Sequence, residues 1–245
     1  IAGLVYSWLG PGWCFTINGI SYLAVIGALL IMRLAAIPRQ PRVRKPVLPE
    51  LMVGIRFAFG NSNIRILMIV VAAVSVFGMG LMTLIPAWAS AVLQGDVRTN
   101  GWLLSARGVG SLIGALMIAY LGSRNMRGKI WAVGSLVLPM ALIVFAIFRE
   151  LPVSLIMLVI LGWAFMAVVN TTNAMIQSWV PDELRGRVMS VHVWVFMGSL
   201  PIGSVLAGEL AEQLGEPTAI LINGSILLAI TLMTVILRPS MKKLQ

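Results

Sequence analysis

The chain has 245 residues, of which 59% are hydrophobic and 11% charged, with 18 Lys and Arg against 8 Asp and Glu. A mean hydropathy of +0.97 exceeds what the interior of a water-soluble domain of this size can absorb, which places the chain in a bilayer. The net charge of +10 punctuates apolar runs instead of forming a patch or arm, so it excludes nucleic acid as a partner and points to anionic lipid headgroups.

A helix crossing the hydrocarbon needs about 20 mainly apolar residues, because a rise of about 1.5 Å per residue must cover about 30 Å. Seven such runs occur, at residues 13–32, 64–87, 102–121, 130–148, 153–173, 188–206 and 219–237. The fold class expected is an all-α integral membrane bundle. Ahead of the first run, IAGLVYSWL leads straight into Gly10-Pro11-Gly12, which reads as the last turns of an eighth helix and a tight loop. A chain beginning in mid-helix is expected to be a fragment of a longer protein. Cys14, the single cysteine, excludes an internal disulfide or a cysteine-clustered metal site.

Between the first and second runs lies the one long internal connection, residues 35–63. Its first part, PRQPRVRKPVLP, is too charged and proline-rich to be regular and reads as a linker. After it, Leu51, Ile55 and Phe59 recur at i, i+4, i+8, the pattern of a short amphipathic helix on the inner membrane surface.

Short loops rich in Lys and Arg stay cytoplasmic. With Gly10–Gly12 outside, 15 of the 18 basic residues fall on inner segments, which fixes the topology and leaves the C-terminus cytoplasmic. VPDELRGRVMS, residues 180–190, becomes a short cytoplasmic turn. There Arg185 and Arg187 snorkel to phosphates, flanking Gly186, while Asp182 and Glu183 pair with them or with helix ends. The turn is expected to act in gating or assembly, not in binding.

Enzymatic chemistry is not evident. GSRNMRGK, residues 122–129, is the nearest approach to a phosphate loop, but its glycines are separated by five residues and Ile130 stands where Ser or Thr would coordinate magnesium. No HExxH, paired carboxylates or Ser/His/Asp set is present, and His192 is the only histidine. No cofactor or metal is expected.

What remains is polar residues at helical spacing inside apolar spans. Gly162, Met166, Asn170, Asn173 and Gln177 fall within about 80° of one face at about 100° per residue; Ser75, Met79, Met82, Thr83 and Pro86 form a similar stripe. Packing is the competing reading, since Ser, Thr and Asn also bond between helices at roughly 0.6 kcal/mol each. Methionines with a few amides make a pliable, mostly apolar cavity wall, and two such stripes favour a cavity. Arg107 lies about 9 Å into its span, where an unpaired charge costs about 2.5–3.5 kcal/mol; snorkelling outward and a pathway or ion-pair role both remain open. Gly108, Gly110 and Gly114 place small residues on the same helix, for close helix contact.

PDELRGRVMS, followed by GSLPIGSVLAGELAEQLG, closely resembles the loop between helices ten and eleven, and helix eleven itself, in major facilitator superfamily transporters, with drug and siderophore exporters of the macrolide-efflux and enterobactin-exporter type as the nearest branch. The resemblance covers the whole chain. It implies that residues 1–34 end the N-terminal six-helix half, 35–63 form the cytoplasmic linker between halves, 64–238 form the C-terminal half and 239–245 a cytoplasmic tail. The family's basic loop motif, GxxxDRxGRR, corresponds to AYLGSRNMRGK, with Ser123 at the aspartate position and Met126 at the second glycine, while Arg124 and Arg127 are kept.

The resemblance further implies alternating access in a bacterial inner membrane, with proton-coupled export of amphipathic small molecules and a monomer when full length. Ser75, Met79, Thr83, Arg107, Met166, Asn170 and Asn173 are the expected wall of the substrate cavity. Two alternatives stay open: superfamily uptake of a nutrient, and a non-transporting receptor or scaffold. A retinal-type receptor would need a lysine in residues 219–237, where there is none.

Overall fold

The computed structural model describes residues 10–32, 47–121 and 126–237. The helix tail expected at 1–9, the first part of the linker, Arg124 and the 239–245 tail lie outside the described residues.

All seven apolar runs form helices long enough to cross a membrane. They are α1 (Pro11–Ile31), α3 (Ser62–Val92), α4 (Val97–Leu121), α5 (Arg127–Ile147), α6 (Leu151–Trp179), α7 (Asp182–Leu214) and α8 (Glu216–Leu237), with the shorter α2 (Val47–Gly60) preceding α3. The short connections between α3 and α8 reverse the chain each time, so the starts of α3, α5 and α7 share one end of the bundle. Gly215 makes the tightest reversal, between α7 and α8, at φ 81, a left-handed conformation that a β-carbon disfavours.

Two helices run well beyond their apolar segments. α6 has 29 residues and α7 has 33, so most of VPDELRGRVMS is helix, not turn. The break is confined to Val180 and Pro181, with Pro181 at the N-cap of α7. Asp182 and Glu183 in the first turn complement the positive helix end, and Asp182 meets Arg185 at 2.5 Å one turn on. The charges that end the hydropathy signal therefore extend the helix into the headgroup region. At the opposite end, Asp96 caps α4 by accepting from the Thr99 and Arg98 amides at 3.0 and 2.9 Å; these bonds, Thr99's first, hold its carboxyl below the usual aspartate range.

α6 is packed between α4 and α5, α5 also packs on α8, and α7 packs on α2, α3 and α8. Lipid supplies no hydrophobic drive between helices, so close backbone approach carries the association. A β-carbon at Gly110 would overlap the Val159 carbonyl, and one at Gly162 would overlap the Arg107 carbonyl; α4 and α6 touch there backbone to backbone. α3 crosses α7 in the same manner, at Gly80 against Ala207 and at Gly203 against Val76. Tryptophan N–H groups from α3 and α5 find partners on α6: Trp88 donates to Ser154 at 3.3 Å and Trp131 to Thr172 at 3.0 Å.

α3 is not a uniform helix. Met79 N–H bonds to Val74 O and Leu93 N–H to Trp88 O, both at 3.0 Å, five residues back, which makes π turns at Val74–Gly78 and Trp88–Val92. α2 lays Gly54 against the start of α7 and buries Ala58, while Leu51 and Phe59 of the expected stripe remain 39% and 44% exposed. Gly54 docks because a β-carbon there would crowd the Arg187 carbonyl; Glu50 then pairs with Arg187 at 2.8 Å.

Replacing Gly162 by valine should destabilise the fold by about 1–3 kcal/mol, because the overlapping atoms are backbone and cannot rotate away. Gly108→Ala, with nothing within 4 Å of the added carbon, should leave stability unchanged. Thermal unfolding in detergent measures both.

Candidate functional site

The polar face of α6 opens into a cavity of about 490 Å³ at the end of the bundle where α5 and α7 begin. It is lined by Arg127 from α5, by Asn170, Asn173, Ala174, Gln177 and Ser178 from α6, and by Arg185 from α7. Residues 170, 173 and 177 recur every three or four positions, so one side of a single helix supplies all three amides. Gln177 donates to the Asn173 side-chain carbonyl, and Asn170 donates to the Met166 sulfur at 3.3 Å. Asn170 and Gln177 are exposed and Asn173 is half-buried. Their amides lie in an open space instead of being buried between helices.

Arg185 reaches this cavity from the first turn of α7. Its Nε donates to the Gln177 backbone carbonyl at 3.0 Å, satisfying one of the open carbonyls in the last turn of α6. Arg187, two residues on, points the other way and pairs with Glu50. Asp182 is spent on Arg185, Glu183 is exposed, and Gly186 has no neighbour within 4 Å of an added β-carbon. The expected gating segment thus divides: Arg185 joins the amides and Arg187 fastens the linker helix.

Ten residues into α4, Arg107 forms a second cluster. Its guanidinium carbon stands 5.3 Å from the Phe165 ring centroid and one N–H points to the Met79 sulfur at 3.5 Å. Phe165 in turn meets Phe196 of α7, with centroids 6.3 Å apart. A cation over an aromatic face gains about 0.5–2 kcal/mol, which offsets part of the cost of a charge at this depth. Among the described residues no carboxylate lies within ion-pair distance of it.

The expected wall therefore comes together in part. Met166, Asn170 and Asn173 lie along one face of α6, with Met79 and Arg107 facing each other farther toward the opposite end. Thr83 is exposed on α3. Ser75 differs: it is fully buried and its hydroxyl donates to the Phe196 carbonyl at 2.6 Å, which makes it a link between α3 and α7. His192 is buried with both ring nitrogens lacking a hydrogen-bond partner among the described residues. Sequence periodicity alone missed Ala174 and Ser178, which flank the stripe, and Phe165, whose ring holds Arg107; an aromatic in an apolar span carries no signal of its own.

A cysteine at Asn170 in a Cys14→Ser background should react with a small water-soluble thiol reagent, whereas one at Ser75 should not. Equal labelling of the two would remove the distinction between cavity wall and helix contact.

Comparison with known proteins agrees with this architecture. The family model described as transmembrane secretion effector, within the major facilitator superfamily, matches residues 1–244. The chain is 28% identical over 218 residues to the multidrug efflux pump Tap of Mycolicibacterium fortuitum, covering 88% of this chain and 53% of that protein. It is 26% identical over 215 residues to Tap of Mycobacterium tuberculosis strain H37Rv, covering 88% and 50%. With the enterobactin exporter EntS of Escherichia coli O1:K1 it shares 24% identity over 222 residues, covering 87% and 50%. The chain spans about half the length of the curated relatives it matches. A match over nearly its whole length, on a bundle whose helices cross at glycines, makes this chain a member of the transmembrane secretion effector family of the major facilitator superfamily.

Proposed function

We propose that the chain supplies the C-terminal half, with the last helix of the preceding half, of a secondary active exporter of amphipathic small molecules. The observation that carries this reading is the face of α6: the amides of Asn170, Asn173 and Gln177 line an open cavity at the end of the bundle where α5 and α7 begin, and Asn170 donates to the sulfur of Met166 one turn away. Amides beside a pliable thioether accept varied amphiphiles, and orientation comes from few polar contacts. The relatives named as a multidrug efflux pump and an enterobactin exporter support export over uptake.

Export against a gradient needs an energy source. A transmembrane potential supplies about 2.3 kcal/mol per charge per 100 mV, enough for proton exchange to drive alternating access between two six-helix halves. The mid-depth spans of the described chain hold no Asp or Glu, so the proton-carrying carboxylate belongs to the other half. The end of the bundle bearing Arg56, Arg65, Arg127, Lys129, Arg185 and Arg187 is the cytoplasmic one by its excess of positive charge. The cavity described here then opens inward in a bacterial inner membrane, and the C-terminus is cytoplasmic.

In everted vesicles containing the intact protein, a fluorescent amphiphile should accumulate when a proton gradient is imposed and should leak away on adding a protonophore. Accumulation that ignores the protonophore would overturn proton coupling; none with any amphiphile would overturn export. Asn170→Leu should leave folded yield nearly unchanged while altering, by several fold, which amphiphiles are moved.

A further inference from the structure

The charged groups along the proposed transport face are all of one sign. Arg127 and Arg185 line the inner cavity, Arg107 stands deeper in the bundle over the Phe165 ring, and no carboxylate is among the cavity's described lining residues. Arg185 meets Asp182 at 2.5 Å, and the Asp182 side chain is 85% exposed. An ion pair so open to water is weak and exchanges readily for another anion. α5 starts at Arg127 and α7 at Asp182, so two positive helix ends stand at the rim of the cavity. The other polar lining groups, the amides of Asn170, Asn173 and Gln177 and the hydroxyl of Ser178, donate as readily as they accept. Asn170 spends its N–H only on a thioether, a weak acceptor that an oxyanion displaces. An organic cation entering here would lose water beside two guanidinium groups, with only neutral amide and hydroxyl oxygens among the described lining side chains to replace it.

We infer that the inner cavity selects amphipathic anions. The carboxylate, or an equivalent oxyanion, docks between Arg127 and Arg185 with Asn173 and Gln177 as hydrogen-bond partners, while the apolar body lies along the methionine side of α6 toward Met166. The inference names the substrate class of the site proposed above and rests on that export reading. Arg185 thereby has a binding role in addition to closing the end of α6, and Arg187, fastened to Glu50, has none.

The test uses the intact protein and two forms of one fluorescent amphiphile, a free carboxylic acid and its methyl ester, with binding read by anisotropy in zwitterionic nanodiscs and export read in everted vesicles. The acid should bind about tenfold more tightly than the ester, the low end for hydrogen bonds to a charged group. The ratio should collapse toward one in Arg127→Gln/Arg185→Gln and return in Arg127→Lys/Arg185→Lys, which keeps the charge and separates selection from a folding defect. If both forms are bound and exported equally, export stands and anion selection fails. A ratio that persists in the glutamine variant overturns the assignment to these two arginines. If neither form is bound or moved, the export reading fails and takes this inference with it. A preference for the acid that vanishes when phosphatidylglycerol is added assigns the cavity to a lipid headgroup and overturns substrate selection.

Discussion

The geometry of the cavity depends on one contact, the meeting of α4 and α6 at Gly110 and Gly162. In a bilayer, apolar side chains gain nothing by leaving lipid for each other, so the association must come from dispersion at short range and from polar links. Removing two β-carbons lets the backbones touch, and the Arg107 carbonyl rests directly on Gly162. That places the Arg107 side chain within reach of Phe165, three residues along α6, and of Met79 across on α3. The next two turns of α6 then carry Asn170 and Asn173 into the open space, while Met166 packs beside Gly114 of α4. A larger residue at either glycine would displace all of these together.

Electrostatics follows from the same arrangement. Positive charge at the end where α5 and α7 begin is distributed among three tasks. Arg185 closes the end of α6, Arg187 ties α2 to α7 through Glu50, and Arg127 lines the cavity. The Glu50–Arg187 pair is partly shielded, at 37% and 29% side-chain exposure, and it is reinforced by the packing of Gly54 beneath it. It resists salt better than the exposed pair between Arg185 and Asp182. α2 is thus held on α7 by both packing and charge.

The seven spans, the face of α6 and the family resemblance were legible in the sequence because each rests on a pattern that burial cannot scramble: length of apolar run, period of 3.6, and a charged motif at a fixed place. The start of α7 was not, since hydropathy stops at the first charged residue while hydrogen bonding continues through Asp182 and Arg185. Nor was the burial of Ser75, whose place on a polar stripe assumed a regular helix from Ser75 to Pro86. The partition of the PDELRGR segment between cavity and linker was invisible because residues 185 and 187 are two apart, about 200° around a helix, and only the neighbouring elements decide what each meets.

The π turn at Val74–Gly78 makes α3 a helix with two phases. One residue more than an α-helix needs has been taken into the turn, so everything beyond it is rotated by about 100° relative to what precedes it. Below the turn the helix presents Leu67, Val70 and Val71 to the core, and beyond it Leu81, Leu84 and Ile85, two sets that an unbroken α-helix would hold within about 40° of one face. The stretch of 31 residues thus meets the same two neighbours, α7 and α8, before and after the turn, and it does so from two different sides of one helix without a loop.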